Sequence, residues 1–99
     1  MKVTIQSIHF DADKRLLEFI QTRCDKLDQY FDGIIDAQVF LRLEKNDEQG
    51  NKVVEIKVNV PNQTLLSKEQ SRSFEEATDE CISQLKRQIT KYKERLKSV

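Results

Sequence analysis

Apolar residues recur at two periods along the chain, and the changes from one period to the other mark successive strands and helices. Near the start, Val3 and Ile5 alternate with polar neighbours at the period of two that a half-buried strand requires. The apolar positions that follow advance by threes and fours down one helix face, at Leu16, Ile20, Cys24, Leu27 and Phe31. Asp11 or Asp13 can cap this helix at its start, and Gly33 suits the C-terminal cap that ends it.

Three further strands are predicted in the middle of the chain. Residues 38–43 return to the period of two, which places alternate side chains through Leu43 on one side. The polar run 46–51 reads as a hairpin loop. The next strand points four residues inward, namely Val54, Ile56, Val58 and Val60. Pro61-Asn62 supplies a turn, and residues 64–70 fit a short edge strand because their alternation fades.

A second helix follows the strands. Ser73 and Glu76 have the spacing of a capping box, in which the Ser73 hydroxyl accepts from the amide of Glu76 while the Glu76 side chain reaches back to the amide of Ser73. The apolar positions after Ser73 keep a helical spacing over six turns, at Phe74, Ala77, Cys81, Leu85, Ile89, Tyr92 and Leu96. The order β-α-β-β-β-α predicts an α+β fold, in which a four-stranded mixed sheet carries both helices on one face. The first two strands should be parallel neighbours, and we expect residues 1–99 to form a single domain.

Composition supports one folded domain of this size. Leu, Ile, Val and Phe make up 29 of 99 residues, which is enough to build a core despite 34% charged residues. The chain shows neither a signal peptide nor an apolar run long enough to span a membrane. Two cysteines without metal-site spacing favour a reducing cytoplasm over a disulfide scaffold.

The charges are balanced overall, at 17 basic and 17 acidic residues, but they are unevenly placed. Residues 86–97 carry six cations, which are Lys86, Arg87, Lys91, Lys93, Arg95 and Lys97, against the single anion Glu94. The helix dipole explains cations only in the last turn, and like charges one turn apart destabilise a helix by about 0.2–0.5 kcal/mol per pair. The run is therefore either a solvated helix end or a polyanion-binding surface, and we favour the second interpretation.

The residues that support catalysis are scarce. His9 is the only histidine, and Cys24 and Cys81 fall on the predicted buried faces, where a thiol is usually unreactive. Tyr92 could stack on a base, but its position in the apolar stripe favours core packing with the hydroxyl at the rim. We expect no enzymatic activity, cofactor, metal, small-molecule substrate or membrane association.

Two segments resemble a known family. Residues 17–32 (LEFIQTRCDKLDQYFD) and 84–97 (QLKRQITKYKERLK) resemble the two helix signatures of the ribosome hibernation promoting factors, also called ribosome-associated inhibitor or sigma-54 modulation proteins. The order of elements and the length match that family as well. The region 61–72 departs most from the family pattern, which leaves contacts from that edge open.

The resemblance implies a cytoplasmic protein that binds the small ribosomal subunit and its 16S rRNA in stationary phase or stress. There it would occupy the mRNA channel and the A and P tRNA sites, and so block translation on idle ribosomes. Lys26, Arg87, Lys91 and Lys93 match basic positions of the family. The RNA-binding prediction also includes Arg23, added from helix geometry, and the neighbouring cations Lys86, Arg95 and Lys97.

Two further expectations concern assembly and an alternative function. Long family members append a dimerisation domain, whereas this chain ends at Val99, so we expect a short form without that domain and a monomer in the free state. The alternative is a regulatory module of the sigma-54 modulation type that docks a basic protein partner or a second copy of this chain. Its docking surface would be the acidic segments 31–50 and 71–85.

Overall fold

The chain folds into a four-stranded sheet with two helices packed on one of its faces. The computed structural model describes residues 1–45, 48 and 50–97. In chain order the elements are β1 (Lys2–Ser7), α1 (Lys14–Asp25), a 3₁₀ helix (Lys26–Gln29), β2 (Asp36–Leu43), β3 (Lys52–Val60), β4 (Gln63–Ser71) and α2 (Phe74–Lys97). The predicted α+β class and the order β-α-β-β-β-α are confirmed. The predicted loop 46–51 includes residues 46, 47 and 49, which lie outside the described residues.

The strands lie in the sheet in the order β1-β2-β3-β4. β1 and β2 are parallel, with Val3 opposite Ala37, whereas β3 is antiparallel to both β2 and β4. A parallel pair needs a crossover connection, and α1 supplies it. The predicted mixed sheet and the parallel pairing of the first two strands are therefore confirmed.

The core lies between the sheet and the helices. Alternate side chains of β2 and β3 are fully buried there, including Val39, Leu41, Val54, Ile56 and Val58. The helices bury the matching stripes, including Ile20, Cys24, Leu27, Cys81, Leu85 and Ile89. Burial of each large aliphatic side chain stabilises the fold by about 1.5–3 kcal/mol, so this layer fixes where the helices lie on the sheet.

The two helices run in the same direction. Phe10, which precedes α1, stacks on Phe74 at the start of α2, with the ring centroids 5.2 Å apart. Phe31, which follows the 3₁₀ helix, meets Tyr92 near the end of α2 edge to face, at 5.4 Å. The second half of α2 therefore lies beside the 3₁₀ helix and the residues that follow it.

Side chains cap both helices at their N-termini. The Asp13 carboxylate accepts a 2.8 Å hydrogen bond from the amide of Leu16, which selects Asp13 over Asp11 as the cap of α1. The Ser73 hydroxyl accepts a 3.1 Å hydrogen bond from the amide of Glu76, as the capping box predicts. The prediction that the Glu76 side chain reaches back to the amide of Ser73 is wrong. The Glu76 carboxylate instead accepts a 2.7 Å hydrogen bond from the hydroxyl of Ser71.

The predicted end of the first helix is also wrong. α1 ends at Asp25 and continues as the tighter 3₁₀ helix, which the 3.0 Å bond from the Tyr30 amide to the Leu27 carbonyl closes. Gly33 lies beyond that bond and caps neither helix. Leu27 and Phe31 still turn toward the core, so the apolar spacing could not reveal the change of helix type.

β4 is an edge strand, as predicted, but it is not short. It extends over nine residues, as many as β3. Its inward positions include Ser67 and Ser71, which are buried although they are polar. Their hydroxyls donate hydrogen bonds to Gln84 and Glu76, both on α2. Serine at buried positions removed the apolar alternation and made the strand look weaker than it is.

Two predicted core positions are exposed. Leu43, at the end of β2, and Leu96, in the last turn of α2, are 49% and 53% exposed. Both lie at the ends of their elements. There the apolar face extends beyond the element that packs against it, so these side chains remain exposed. Within the described ranges, neither helix is both long and apolar enough to cross a membrane.

Candidate nucleic-acid interface

The second half of α2 carries six cations, of which all but the partly buried Lys93 are exposed. We call them the cationic surface: Lys86, Arg87, Lys91, Lys93, Arg95 and Lys97. At 1.5 Å per residue, the 24-residue helix is roughly 36 Å long, and the cationic surface occupies about half of it. Leu85, Ile89 and Tyr92 are buried beneath it. Because that stripe faces the sheet, the helical period places the cations in two rows, one on each side of the stripe.

One row faces α1 and the 3₁₀ helix. It consists of Lys86, Lys93 and Lys97, in agreement with the helical spacing. The Lys86 ammonium lies 5.0 Å from the centroid of the Tyr30 ring, a cation–π contact that holds the side chain over the end of the 3₁₀ helix. Lys93, two turns later, is partly buried against the same segment.

The other row lies on the side of α2 toward β4. It consists of Arg87, Lys91 and Arg95, which are all exposed and follow one another at intervals of one turn. Gln88, next to Arg87, donates a 2.9 Å hydrogen bond to the carbonyl of Leu66 in β4. In the described part of the chain, these three side chains form no ion pair. Folding therefore leaves their charges available to a partner.

The two cations predicted on the first helix are placed differently. The Arg23 guanidinium donates a 2.8 Å hydrogen bond to the Asp79 carboxylate of α2 and lies 4.3 Å from the centroid of the Phe19 ring. Arg23 is thus held between the helices, beside the first half of α2. Lys26 is exposed in the 3₁₀ helix, on the segment that faces the second half of α2. The structure brings Lys26 toward the cationic surface and gives Arg23 internal partners.

A cavity of about 290 Å³ opens between the 3₁₀ helix and α2. It is lined by Gln29, Tyr30, Phe31, Asp32 and Lys93, and we call it the aromatic cavity. The helical spacing placed Phe31 only on the apolar face of the first helix and assigned no role to Tyr30. The signal that could have revealed the cavity is the run of two aromatic residues between polar neighbours at 29–32.

Tyr92 packs in the core. Its side chain is 5% exposed, and its hydroxyl donates a 2.8 Å hydrogen bond to the carbonyl of Pro61. This confirms the core interpretation, with the hydroxyl at the rim, over stacking on a ligand.

Both cysteines are buried, as predicted, and their thiols are unreactive in the folded protein. Burial raises the pKa of Cys24 to about 12 and the pKa of Cys81 to about 11, so both thiols stay protonated at neutral pH. Neither thiol can act as a nucleophile without local unfolding. In the ranges that the structure describes, no cluster of three or more His, Cys, Asp or Glu residues could hold a metal ion.

Three of the four acidic residues in the first half of α2 have partners within the fold. Asp79 binds Arg23, and Glu76 accepts the bond from Ser71. Burial, followed by a hydrogen bond with Glu69, raises the pKa of Glu80. α2 is therefore polarised: three of the four carboxylates at its start are engaged within the fold, and five of the six cations at its end are exposed.

Comparison with known proteins shows which family model and which relatives this chain resembles. A family model described as Sigma 54 modulation protein / S30EA ribosomal protein matches residues 3–97. A ribosome hibernation promotion factor of Deinococcus radiodurans is 34% identical over 86% of this chain, which spans 45% of the length of that relative. The ribosome hibernation promoting factor of Escherichia coli strain K12 is 29% identical, and the alignment covers 98% of each chain.

A solved structure shows the same fold. A ribosomal subunit interface protein from Coxiella burnetii superposes with a TM-score of 0.83, at 20% sequence identity. The match covers 94% of this chain and 98% of that one.

Proposed function

Because this chain belongs to the Sigma 54 modulation protein / S30EA ribosomal protein family, we propose that it is a cytoplasmic ribosome hibernation factor. In this proposal it binds the small ribosomal subunit at the decoding region, over the mRNA channel and the A and P tRNA sites. It blocks translation on idle ribosomes in stationary phase or stress. The names of the relatives support the association with hibernation, and the cationic surface supports RNA as the partner.

The observation that carries the proposal is the cationic surface itself. Six cations oppose one anion over residues 86–97, and the row formed by Arg87, Lys91 and Arg95 has no ion pair in the described part of the fold. Each cation placed against a phosphate releases condensed counterions, which gives affinity without reading any base. Such a surface suits a structured RNA whose backbone is displayed at high density.

The mechanism that follows is steric exclusion. α2 is a single uninterrupted helix anchored along its buried face, so bound phosphates would meet a rigid row of charges. Arg87, Lys91, Lys93, Arg95 and Lys97 would hold the RNA backbone, with Lys26 and Lys86 extending the contact toward the 3₁₀ helix. Arg23 would contribute mainly by fixing α1 against α2 through Asp79. A domain held in this way leaves no room for mRNA or tRNA at the same place.

Co-sedimentation with isolated small subunits tests the proposal. The double variant Arg87→Glu/Lys91→Glu removes two cations and adds two anions at exposed positions, so the fold should be retained while binding is lost. The matched control is Lys14→Glu/Arg15→Glu, which makes the same change of charge in the exposed first turn of α1, at the other end of the helix pair. Wild type and control should co-sediment with the subunits. Equal co-sedimentation of the Arg87→Glu/Lys91→Glu variant would overturn the proposed interface.

Competition with tRNA tests the proposed location. Filter binding of labelled tRNA to small subunits programmed with mRNA should fall as the protein is added, and the Arg87→Glu/Lys91→Glu variant should leave it unchanged. Subunits that retain tRNA while saturated with the protein would contradict binding at the decoding region.

A further inference from the structure

We propose that the aromatic cavity binds one unpaired nucleobase of the RNA that the cationic surface holds, and that guanine is the base it fits best. This inference rests on the proposed function, because it assumes that RNA is the partner. It adds a site of base recognition to a surface that otherwise contacts only the backbone.

The cavity lies between α2 and the turn that follows the 3₁₀ helix, and one of its walls is anchored in the core. Its volume of about 290 Å³ lies just below the roughly 300–1,000 Å³ that is typical of ligand pockets, which suits a ligand as small as one base. Phe31 is fixed edge to face against Tyr92, whose hydroxyl is bonded to the carbonyl of Pro61. The wall of the cavity is therefore anchored in the core before any ligand arrives.

The aromatic lining suits a planar ligand. Unpaired bases of RNA are commonly recognised by stacking on aromatic side chains, at about 1–3 kcal/mol per base. Tyr30 and Phe31 both line the cavity, and Tyr30 is partly exposed. Lys86, over the Tyr30 ring, and Lys93, in the cavity wall, lie where they can meet the phosphates that flank a bound base.

Asp32 favours a base over a phosphate as the group that enters the cavity. The Asp32 carboxylate and the Gln29 amide form no hydrogen bond or ion pair within the described part of the chain, so both are available to a ligand. A carboxylate repels a phosphate and accepts hydrogen bonds only. Guanine presents two adjacent N–H donors on its Watson–Crick edge, at N1 and N2, which a carboxylate can accept together. Uracil presents one N–H donor there, so Asp32 should prefer guanine.

Titration with short RNAs tests this assignment. The pentanucleotides UUGUU and UUUUU, together with GMP, are titrated into ¹⁵N-labelled protein, and dissociation constants are taken from the shifts of the amides at residues 29–32. UUGUU should bind roughly 5- to 150-fold more tightly than UUUUU, the range of discrimination that a bidentate contact provides. Asp32→Asn should remove most of this preference. The control Asp11→Asn, an exposed carboxylate before α1, should keep it.

The outcomes separate this site from the proposed function. Equal binding of UUGUU and UUUUU by a protein that still co-sediments with small subunits would overturn the cavity assignment alone. A guanine preference that survives Asp32→Asn would also overturn it. GMP bound as tightly as UUGUU would identify a free-nucleotide site and exclude RNA as the ligand of the cavity. A guanine preference without any binding to small subunits would support the cavity and overturn the proposed function.

Discussion

Neutralising two cations of α2 should change how steeply ribosome binding depends on salt. Arg87→Gln/Lys91→Gln removes two charges that are exposed and form no ion pair in the described structure. Each phosphate contact contributes about −0.7 to −0.9 to the slope of log K against log salt. The variant should therefore have a slope that is shallower by about 1.4–1.8.

The absolute slope follows from the number of exposed cations. If the six residues of the cationic surface each neutralise one phosphate, the wild-type slope is about −4.2 to −5.4. Raising monovalent salt threefold should then weaken binding by about 100- to 380-fold. Arg23→Gln should change the slope less than Arg87→Gln does, because Arg23 is already paired with Asp79.

The assay is the affinity for small subunits, measured by fluorescence anisotropy at several salt concentrations and constant magnesium. The matched control is Lys14→Gln/Arg15→Gln, which removes the same charge from the start of α1. Its line should run parallel to that of the wild type. The reasoning is refuted if Arg87→Gln/Lys91→Gln keeps the wild-type slope, or if the control lowers the slope equally, since net charge alone would then explain binding.

Two further predictions concern the fold. Cys24 and Cys81 should react with a thiol reagent only after unfolding. Burial raises the pKa values of both thiols from 9.0, so only the unfolded chain loses these protons just above pH 9. The free energy of unfolding should therefore fall by about 1.4 kcal/mol per pH unit per thiol between pH 9 and about pH 11. In urea titrations, Cys24→Ala/Cys81→Ala should lose this dependence on pH. Gly50 has a φ of 88°, and a Cβ there would lie 2.3 Å from the backbone of Ser71. Gly50→Ala should therefore cost at least about 1–3 kcal/mol and lower the melting temperature, whereas an unchanged melting temperature would contradict the geometry.

The fold followed from local patterns wherever burial and polarity agree. Alternation in β2 and β3 and the helical spacing of α2 were visible because inward positions carry aliphatic side chains. The pattern failed at β4, where Ser67 and Ser71 are buried and bonded to α2, and at Leu96, where the stripe outruns its cover. The spacing of apolar residues depends only on the local sequence. Burial depends on which other element packs over each residue, and the local sequence does not contain that information.

The candidate site was predictable in part for the same reason. The six cations fall within the short segment 86–97, so their position on one helix could be inferred without knowing the fold. The pairing of Arg23 with Asp79 joins residues 56 positions apart and depends on how α1 packs against α2. The aromatic cavity likewise joins residues 29–32 to Lys93. Neither the pairing nor the cavity leaves a local signal that specifies the partner.

A cryo-EM map of the protein bound to the small subunit tests the central claim most directly. The proposal predicts density for this domain in the decoding region, over the mRNA channel and the A and P sites. In that density Arg87, Lys91 and Arg95 of α2 should face rRNA phosphates. Density elsewhere on the subunit, or a domain that turns the open face of its sheet toward the rRNA and α2 toward solvent, would contradict it.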